Sequence, residues 1–418
     1  MRDLLLVSLR DPYMDSDRVM PPLGIMSLHA YLTERGFIVD MTNDIGGLHI
    51  MELRNYRYIG ISCMTPQKAQ AEDVLNVVKT YCPDTQVIIG GPHPEFYLDE
   101  CMKLPYQHIV IGDGEIPLHK ILSSNSKDTG IPKVWSIIGG DLDSLPLPTR
   151  TKEFLSDYEF LIQGLDSTTI LTAKGCPNRC AFCESASSDV RFFPAKHIEQ
   201  QIQQCLDLGY QAIQFYDDLF AISMGRVREL CNIIKPFDIK FRCCGHARTL
   251  TQEMAELLSD AGCIEMSYGA ETGSQKILNA VNKRTTVAQN HNFYKICNSV
   301  GIKAKAFMIA GLPGESWDTI CDSADFVEAL LKDTFTNFEG RQITNDFDVS
   351  IYYPYRGTHI RDHIDQYDLK IDLAKTQGFF KGIGGLSECA VSTSNMTSKD
   401  IMQAQKDMVF MYKPDIIR

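Results

Sequence analysis

Over residues 1–125, short apolar runs alternate with stretches whose apolar positions recur every three or four residues. The runs Leu4–Leu9, Phe37–Met41, Tyr58–Cys63, Gln86–Gly90 and His108–Gly112 predict strands. The stretches Leu23–Arg35, Gln67–Tyr81 and Gly114–Leu122 predict helices. This alternation predicts an α/β fold, a doubly wound parallel sheet with helices on both faces. Residues 125–165 are less regular, and Leu145-Pro146-Leu147-Pro148-Thr149-Arg150 reads as a linker. A second series follows, with predicted strands Thr168–Thr172, Ala212–Tyr216, Lys240–Cys244, Glu265–Tyr268, Lys303–Ile309 and Asp346–Tyr352. Helical patterns lie between them, among them His197–Leu208, Gly225–Ile234, Gln252–Asp260 and Asp318–Lys332. Strand–helix units at this spacing predict a partial or complete parallel barrel of the TIM kind. The tail after about residue 355 has mixed signals and reads as a small cap.

The 418 residues fit two or three domains. The balance of 41 Lys and Arg against 53 Asp and Glu gives a net charge of −12, which argues against a dedicated nucleic-acid binder. No apolar run approaches a membrane span. The start, Met1 to Arg10, is too short for a signal-peptide core and reads as a first buried strand, so a soluble cytoplasmic protein is expected. The 14 cysteines are then expected as reduced thiols, most of them small buried hydrophobes.

Ligands of doubly wound sheets sit beyond the carboxyl ends of the strands. Three predicted strand ends carry loops suited to that: Ser62-Cys63-Met64-Thr65-Pro66-Gln67, Gly90-Gly91-Pro92-His93-Pro94 and Gly112-Asp113-Gly114-Glu115. Each alone reads equally as an ordinary turn; three on one edge predict a ligand crevice.

Cys176, Cys180 and Cys183 lie in Lys174-Gly175-Cys176-Pro177-Asn178-Arg179-Cys180-Ala181-Phe182-Cys183, directly after the first barrel strand. Three thiolates at C-x3-C-x2-C spacing suit three corners of a cubane iron–sulfur cluster and leave one iron open. A structural zinc would want a fourth nearby ligand, and His197 opens a helix fourteen residues on.

This loop resembles that of the radical S-adenosylmethionine (SAM) enzymes. Three later segments match in order: Phe215-Tyr216-Asp217-Asp218, then Gly269-Ala270-Glu271-Thr272-Gly273-Ser274 with Asn282-Lys283, then Gly311-Leu312-Pro313-Gly314-Glu315. The resemblance implies that Cys176, Cys180 and Cys183 hold a [4Fe–4S] cluster whose open iron binds SAM. It places Phe182, Ile309 and Gly311 near the adenine, Glu271 on the ribose and Ser274 at a polar contact. Asp218 or Asp217 would orient the methionyl amine, and Arg248 would pair with the carboxylate. An external one-electron reductant, such as flavodoxin or ferredoxin, is implied as a partner. His246 reads equally as an active-site group or a polar strand end, and Cys243-Cys244 as barrel packing.

The first half resembles the Rossmann-like cobalamin-binding domain that precedes this barrel in one radical SAM subgroup. The resemblance rests on Pro21-Pro22-Leu23-Gly24-Ile25 and the three strand-end loops. It implies that Leu23, Gly24, Ser62, Thr65, Gln67, Gly90, Gly91, Gly112 and Glu115 face cobalamin. His93 either contacts the corrin or caps its turn. The Asp-x-His-x-x-Gly sequence by which other cobalamin proteins supply a lower histidine is absent from residues 1–125, so no histidine on cobalt is expected.

The expected organisation is a cobalamin-binding domain at 1–140, a linker at 141–164, a partial (β/α)6 radical SAM barrel at 165–345 and a C-terminal substrate-facing subdomain at 346–418. The resemblance implies a methyltransferase that methylates an unactivated carbon with methylcobalamin and a 5′-deoxyadenosyl radical, acting on a small molecule or peptide. A rearrangement or ring closure without methyl transfer is the alternative. A methylthiotransferase would need a second cluster, for which Cys63, Cys82 and Cys101 are the available thiols.

Overall fold

The computed structural model describes residues 1–11, 18–124, 132–375 and 389–413. They divide into two compact units, one ending at Glu159 and one beginning at Phe160.

The first unit is built on a six-stranded sheet in the order Val39–Thr42, Arg2–Ser8, Tyr56–Ser62, Gln86–Gly90, His108–Gly112, Lys133–Ile137. Every pairing is parallel. Successive side chains on a strand point to opposite faces, so each buried run feeds two cores. Leu4, Leu6, Tyr58, Ile88 and Val110 pack with Ile25, Leu32 and Ile121 of the helices Leu23–Thr33 and Glu115–Ser123. Leu5, Val7, Ile59, Ile61 and Ile89 pack with Val74, Leu75 and Val78 of the helix Lys68–Tyr81. The chain therefore reverses its winding between Arg2–Ser8 and Tyr56–Ser62, the place where such sheets open a crevice. The edge strand Lys133–Ile137 is only half buried, which is why apolar periodicity does not reveal it.

The second unit holds six parallel strands in chain order: Leu165–Ile170, Ala212–Phe215, Lys240–Gly245, Cys263–Glu271, Lys303–Ala310 and Asp346–Ile351. Leu161–Ile162 adds an antiparallel edge. Among the described residues the two edges do not pair, so this is a partial (β/α)6 barrel. The outward row packs tightly under the helices: Tyr268 stacks on Phe293 with centroids 4.0 Å apart, and Phe215 meets Phe241 edge-on at 5.2 Å. The opposite row on Lys303–Ala310 is less buried, at Lys303, Lys305, Phe307 and Ile309. By register Ser267 lies beside both Cys244 and Lys305, and Lys305 beside Asp346. Barrel interiors are ordinarily filled with branched apolar residues. Here Arg242 reaches Ser267 Oγ at 2.9 Å and Glu265 at 3.2 Å, and Lys305 reaches Asp348 at 2.9 Å.

The boundary drawn between residues 345 and 346 falls inside this sheet, because Asp346–Ile351 is its last parallel strand. The helix Ser398–Tyr412 packs back on it, with Gln405 Nε2 donating to Val349 O at 3.1 Å. Residues 376–388 and 414–418 of the C-terminal segment lie outside the described residues. No helix among the described residues is long and apolar enough to cross a membrane.

Gly91 combines φ +90° with an approach that would put a Cβ 2.8 Å from Cys63 O. Gly91→Ala should therefore lower stability by about 1–3 kcal/mol in urea unfolding, through strain and displacement of the Cys63 strand end.

Candidate active site

The cysteine loop has little regular structure of its own. Gly175 starts it at φ +95°, where a Cβ would lie 2.3 Å from Asp189 O. Cys176 N donates to Ser188 Oγ at 2.8 Å, and Ser187 N to Asn178 O at 2.7 Å. Two further bonds tie the loop to a distant turn: Ala181 N to Val281 O at 2.9 Å, and Asn282 Nδ2 to Arg179 O at 2.8 Å. The strand end before the loop is clamped by buried Asp217. It accepts from Thr172 N at 2.7 Å, from Ala173 N at 3.2 Å and from Thr172 Oγ1. Burial lifts its carboxyl to about 6 against those bonds. Asp217 is thus committed to the backbone. Its neighbour Asp218 accepts from Ser185 Oγ at 3.1 Å and stands beside the loop, its charge reaching Cys183.

Burial raises the Cys180 thiol, and raises Cys183 to about 12. Cys180 feels Cys176, and Cys183 feels both. Loading this loop with iron must therefore release protons. Among the described residues no three His, Cys, Asp or Glu side chains converge on a single-ion site. Three neighbouring thiols on one pinned loop fit a cluster, whose irons stand apart, better than one zinc ion.

Opposite the loop, Glu271 is buried and left-handed at φ +64°. Its Oε1 lies 2.5 Å from Lys283 Nζ, and a Cβ on Gly269 would lie 2.0 Å from the same oxygen. Lys283 Nζ stands 5.7 Å from the Phe182 ring centroid, and its charge reaches Cys180 and Cys183. Arg248 Nη2 donates to Asn178 Oδ1 at 3.3 Å within the cysteine loop, and its charge reaches Cys180. Phe182, Asp218, Arg248 and Glu271 are thus gathered around the three cysteines. His246 Nδ1 accepts from Arg248 N at 3.2 Å, and its buried Nε2 has no hydrogen-bond partner among the described residues. Burial beside Lys283 and Arg248 lowers this imidazole to about 3, so it is neutral.

Ile309 lies on the less buried row of its strand. Gly311 is left-handed, and a Cβ there would lie 2.9 Å from Ile401 Cγ2 of the C-terminal helix. Its N donates to Glu315 Oε2 at 2.8 Å, and burial lifts that carboxyl to about 7. Ser274 is buried and precedes the helix Gln275–Ala280. Lys283 and Glu315 join the site although the sequence pattern assigns neither of them a role. Their signal lay only in their places beside Asn282 and in the Gly-Leu-Pro-Gly-Glu segment.

In the first unit, the loops after Tyr56–Ser62 and Gln86–Gly90 form one edge. Cys63 N donates to Gly90 O, and His93 N to Cys63 O, each at 2.9 Å. Thr65 and His93 are buried together, Oγ1 to Nδ1 at 3.4 Å, and His93 stacks on Tyr97 at 4.8 Å. Gln67 is occupied internally, donating to Leu9 O at 2.9 Å and accepting from Met64 N at 2.8 Å. This bridge spans the winding reversal and leaves Met64 45% exposed there. Ser62 ends its strand, and Gly24 is exposed on the first turn of its helix beside Leu23. Gly112 is left-handed, and a Cβ there would lie 2.3 Å from Ile137 O, so the position demands glycine. Glu115 is buried and lines a small pocket with Asp113 and Tyr31. Cys63 feels Cys101. Cys82 follows the helix Lys68–Tyr81, which runs away from the Cys63 end of the sheet, so these three thiols do not form a second cluster.

The Radical SAM superfamily profile matches residues 170–327, and the B12 binding domain profile matches residues 15–122. The chain belongs to the cobalamin-dependent radical SAM enzymes. Its cofactors are accordingly a [4Fe–4S] cluster, SAM and cobalamin. Among relatives of this radical SAM chain, "Uncharacterized methyltransferase PH0819" of Pyrococcus horikoshii is 23% identical over 376 residues, 82% of this chain and 78% of that one. The anaerobic magnesium-protoporphyrin IX monomethyl ester cyclase of Rubrivivax gelatinosus is 24% identical over 72% of this chain, but the match spans only 60% of the cyclase. Among solved structures, the radical SAM methyltransferase TsrM from Kitasatospora setae, with cobalamin and a [4Fe–4S] cluster bound, superposes with a TM-score of 0.68. It is 16% identical, over 89% of this chain and 81% of that one.

Replacing Cys176, Cys180 and Cys183 together by Ala should abolish the broad visible iron–sulfur absorption; retention of about four irons per chain would remove the loop from the cluster. Glu271→Gln should weaken SAM binding about tenfold in equilibrium dialysis by removing a charged hydrogen-bond acceptor. Glu271→Ala is the poorer test, since an unpaired buried Lys283 would itself cost about 3–5 kcal/mol.

Proposed function

We propose that this enzyme is a C-methyltransferase acting at an unactivated carbon of a polar small molecule or peptide. When bound, the cluster and SAM supply hydrogen abstraction from that carbon, and cobalamin supplies the methyl group. Cys176, Cys180 and Cys183 hold the cluster. Glu271, locked by Lys283, accepts from the ribose, while Phe182 and Ile309 flank the adenine, with Gly311 turning the chain beside it and Ser274 as a further polar contact. Arg248 pairs with the methionyl carboxylate, and Asp218 orients the amine. The observation that carries this reading is the convergence of Phe182, Asp218, Arg248 and Glu271 on the pinned cysteine loop.

Cobalamin would be held by the Ser62–Gln67 and Gly90–His93 edge, including the exposed Met64, with Leu23, Gly24, Gly112 and Glu115 as further contacts. His93 is engaged by Thr65 and Tyr97, which supports a lower face without histidine. Methyl transfer is supported by the two relatives named as methyltransferases, each matched over more than three quarters of its length. Ring closure is the second reading, because one relative is named a cyclase. The polar row at Arg242, Ser267 and Lys305 supports a polar substrate. A cavity of about 600 Å³ reaches Cys180 and Cys183 between Arg179, Arg284, His359 and His363, a face suited to an external one-electron reductant.

Two measurements test the proposal. Anaerobic turnover with SAM deuterated at its methyl group should give a product heavier by one labelled methyl; a product of altered skeleton without label would select ring closure. The cob(II)alamin electron paramagnetic resonance spectrum should show no nitrogen triplet. Triplet splitting that disappears in His93→Ala would place histidine on cobalt.

A further inference from the structure

Three residues other than glycine take left-handed backbone angles around one buried ion pair: Glu271 at φ 64°, Asn282 at 53° and Arg284 at 58°. Such angles persist only where the surroundings over-determine them, and they gather at functional sites. The residue they hold is Lys283. Its side chain is 8% exposed, unusual for a lysine, and its Nζ reaches Glu271 Oε1 at 2.5 Å. The turn that carries it is the one fastened to the cysteine loop, through Val281 O to Ala181 N and through Asn282 Nδ2 to Arg179 O. The ammonium is therefore held against the segment Cys180-Ala181-Phe182-Cys183, above the Phe182 ring.

We propose that Lys283 is a charge-tuning and positioning residue whose ammonium favours the reduced form of the cluster held by Cys176, Cys180 and Cys183 and fixes Glu271 for SAM. This rests on the cluster assignment above. Reduction adds one electron from the external donor to the cluster, oxidises that donor by one electron, and makes or breaks no bond. It adds one negative charge beside a fixed positive one. Their attraction is strengthened by the water-poor surroundings. Glu271, the other half of the pair, opposes the effect with a negative charge that also reaches Cys180. Protonated Lys283 is the state the site favours: burial works against the charge, but Glu271 and the neighbouring cysteines together raise its affinity for the proton by more.

The test compares full-length wild type, Lys283→Met, Lys283→Arg and Glu271→Gln after anaerobic reconstitution, with iron and sulfide counted. Each is titrated with dithionite while the reduced-cluster paramagnetic signal is followed. The midpoint of Lys283→Met should move to more negative potential, Lys283→Arg should stay close to wild type, and Glu271→Gln should move to less negative potential. A lysine that served packing alone would change cluster content without moving the midpoint of the cluster that forms. Equal midpoints for Lys283→Met and wild type overturn the proposal, as does a shift in Lys283→Arg as large as in Lys283→Met. Should Lys283→Met hold no cluster, Glu271→Gln decides, and an unmoved or more negative midpoint there overturns it. A wild type without any iron–sulfur signal would instead sink the cluster assignment itself.

Discussion

A loop that must present three thiols at one place has no helix or strand to hold it. Its position here depends on hydrogen bonds from outside the loop. Asp217 clamps the strand end before it, Ser188 caps Cys176, and the 281–283 turn takes hold of Arg179 and Ala181. Each bond is modest, about 1 kcal/mol net, but losing one leaves a buried donor or acceptor unmatched, which costs more. Asp217 illustrates the cost accepted: its carboxyl is raised to about 6 by burial despite its three donors.

The same turn brings charge to the site. Lys283 arrives with Asn282 and Arg284, and its ion pair with Glu271 occupies the space that Gly269 leaves free. A buried ion pair is weak evidence of added stability, because desolvation offsets the attraction. Its value lies in orientation: Glu271 has one place for its carboxylate, and that place faces the cysteine loop. Glu315 does related work one strand away, where it accepts from the Gly311 and Leu312 amides and so shapes the turn that ends Lys303–Ala310.

In the first unit the constraint is topological. Winding reverses between Arg2–Ser8 and Tyr56–Ser62, and Gln67 bridges the gap by bonding both Leu9 and Met64. Several glycines there have packing reasons independent of any ligand. Gly91 avoids the Cys63 backbone and Gly112 avoids Ile137 O. That places the ligand-facing role on the loop as a whole rather than on each glycine.

Much of this protein is legible in local pattern. The buried apolar runs Leu4–Val7 and Ile59–Ile61, whose successive side chains face opposite ways, dictate a sheet with two cores, and the C-x3-C-x2-C spacing dictates metal chemistry, because both depend only on neighbours in the chain. The edge strand Lys133–Ile137 and the helix Ser398–Tyr412 were decided by tertiary pairing, where half-buried segments take their structure from what they pack against. The division of labour between Asp217 and Asp218 was likewise invisible, since adjacent residues of one type differ only in which way the strand end turns them. So was Lys283: a lysine reads as a surface residue until the fold closes a carboxylate, an aromatic ring and two of the three thiols around it. Sequence alone determined which chemistry the chain can support. Only the folded structure decided which charges that chemistry feels, because electrostatic neighbours are set by burial and distance rather than by order along the chain.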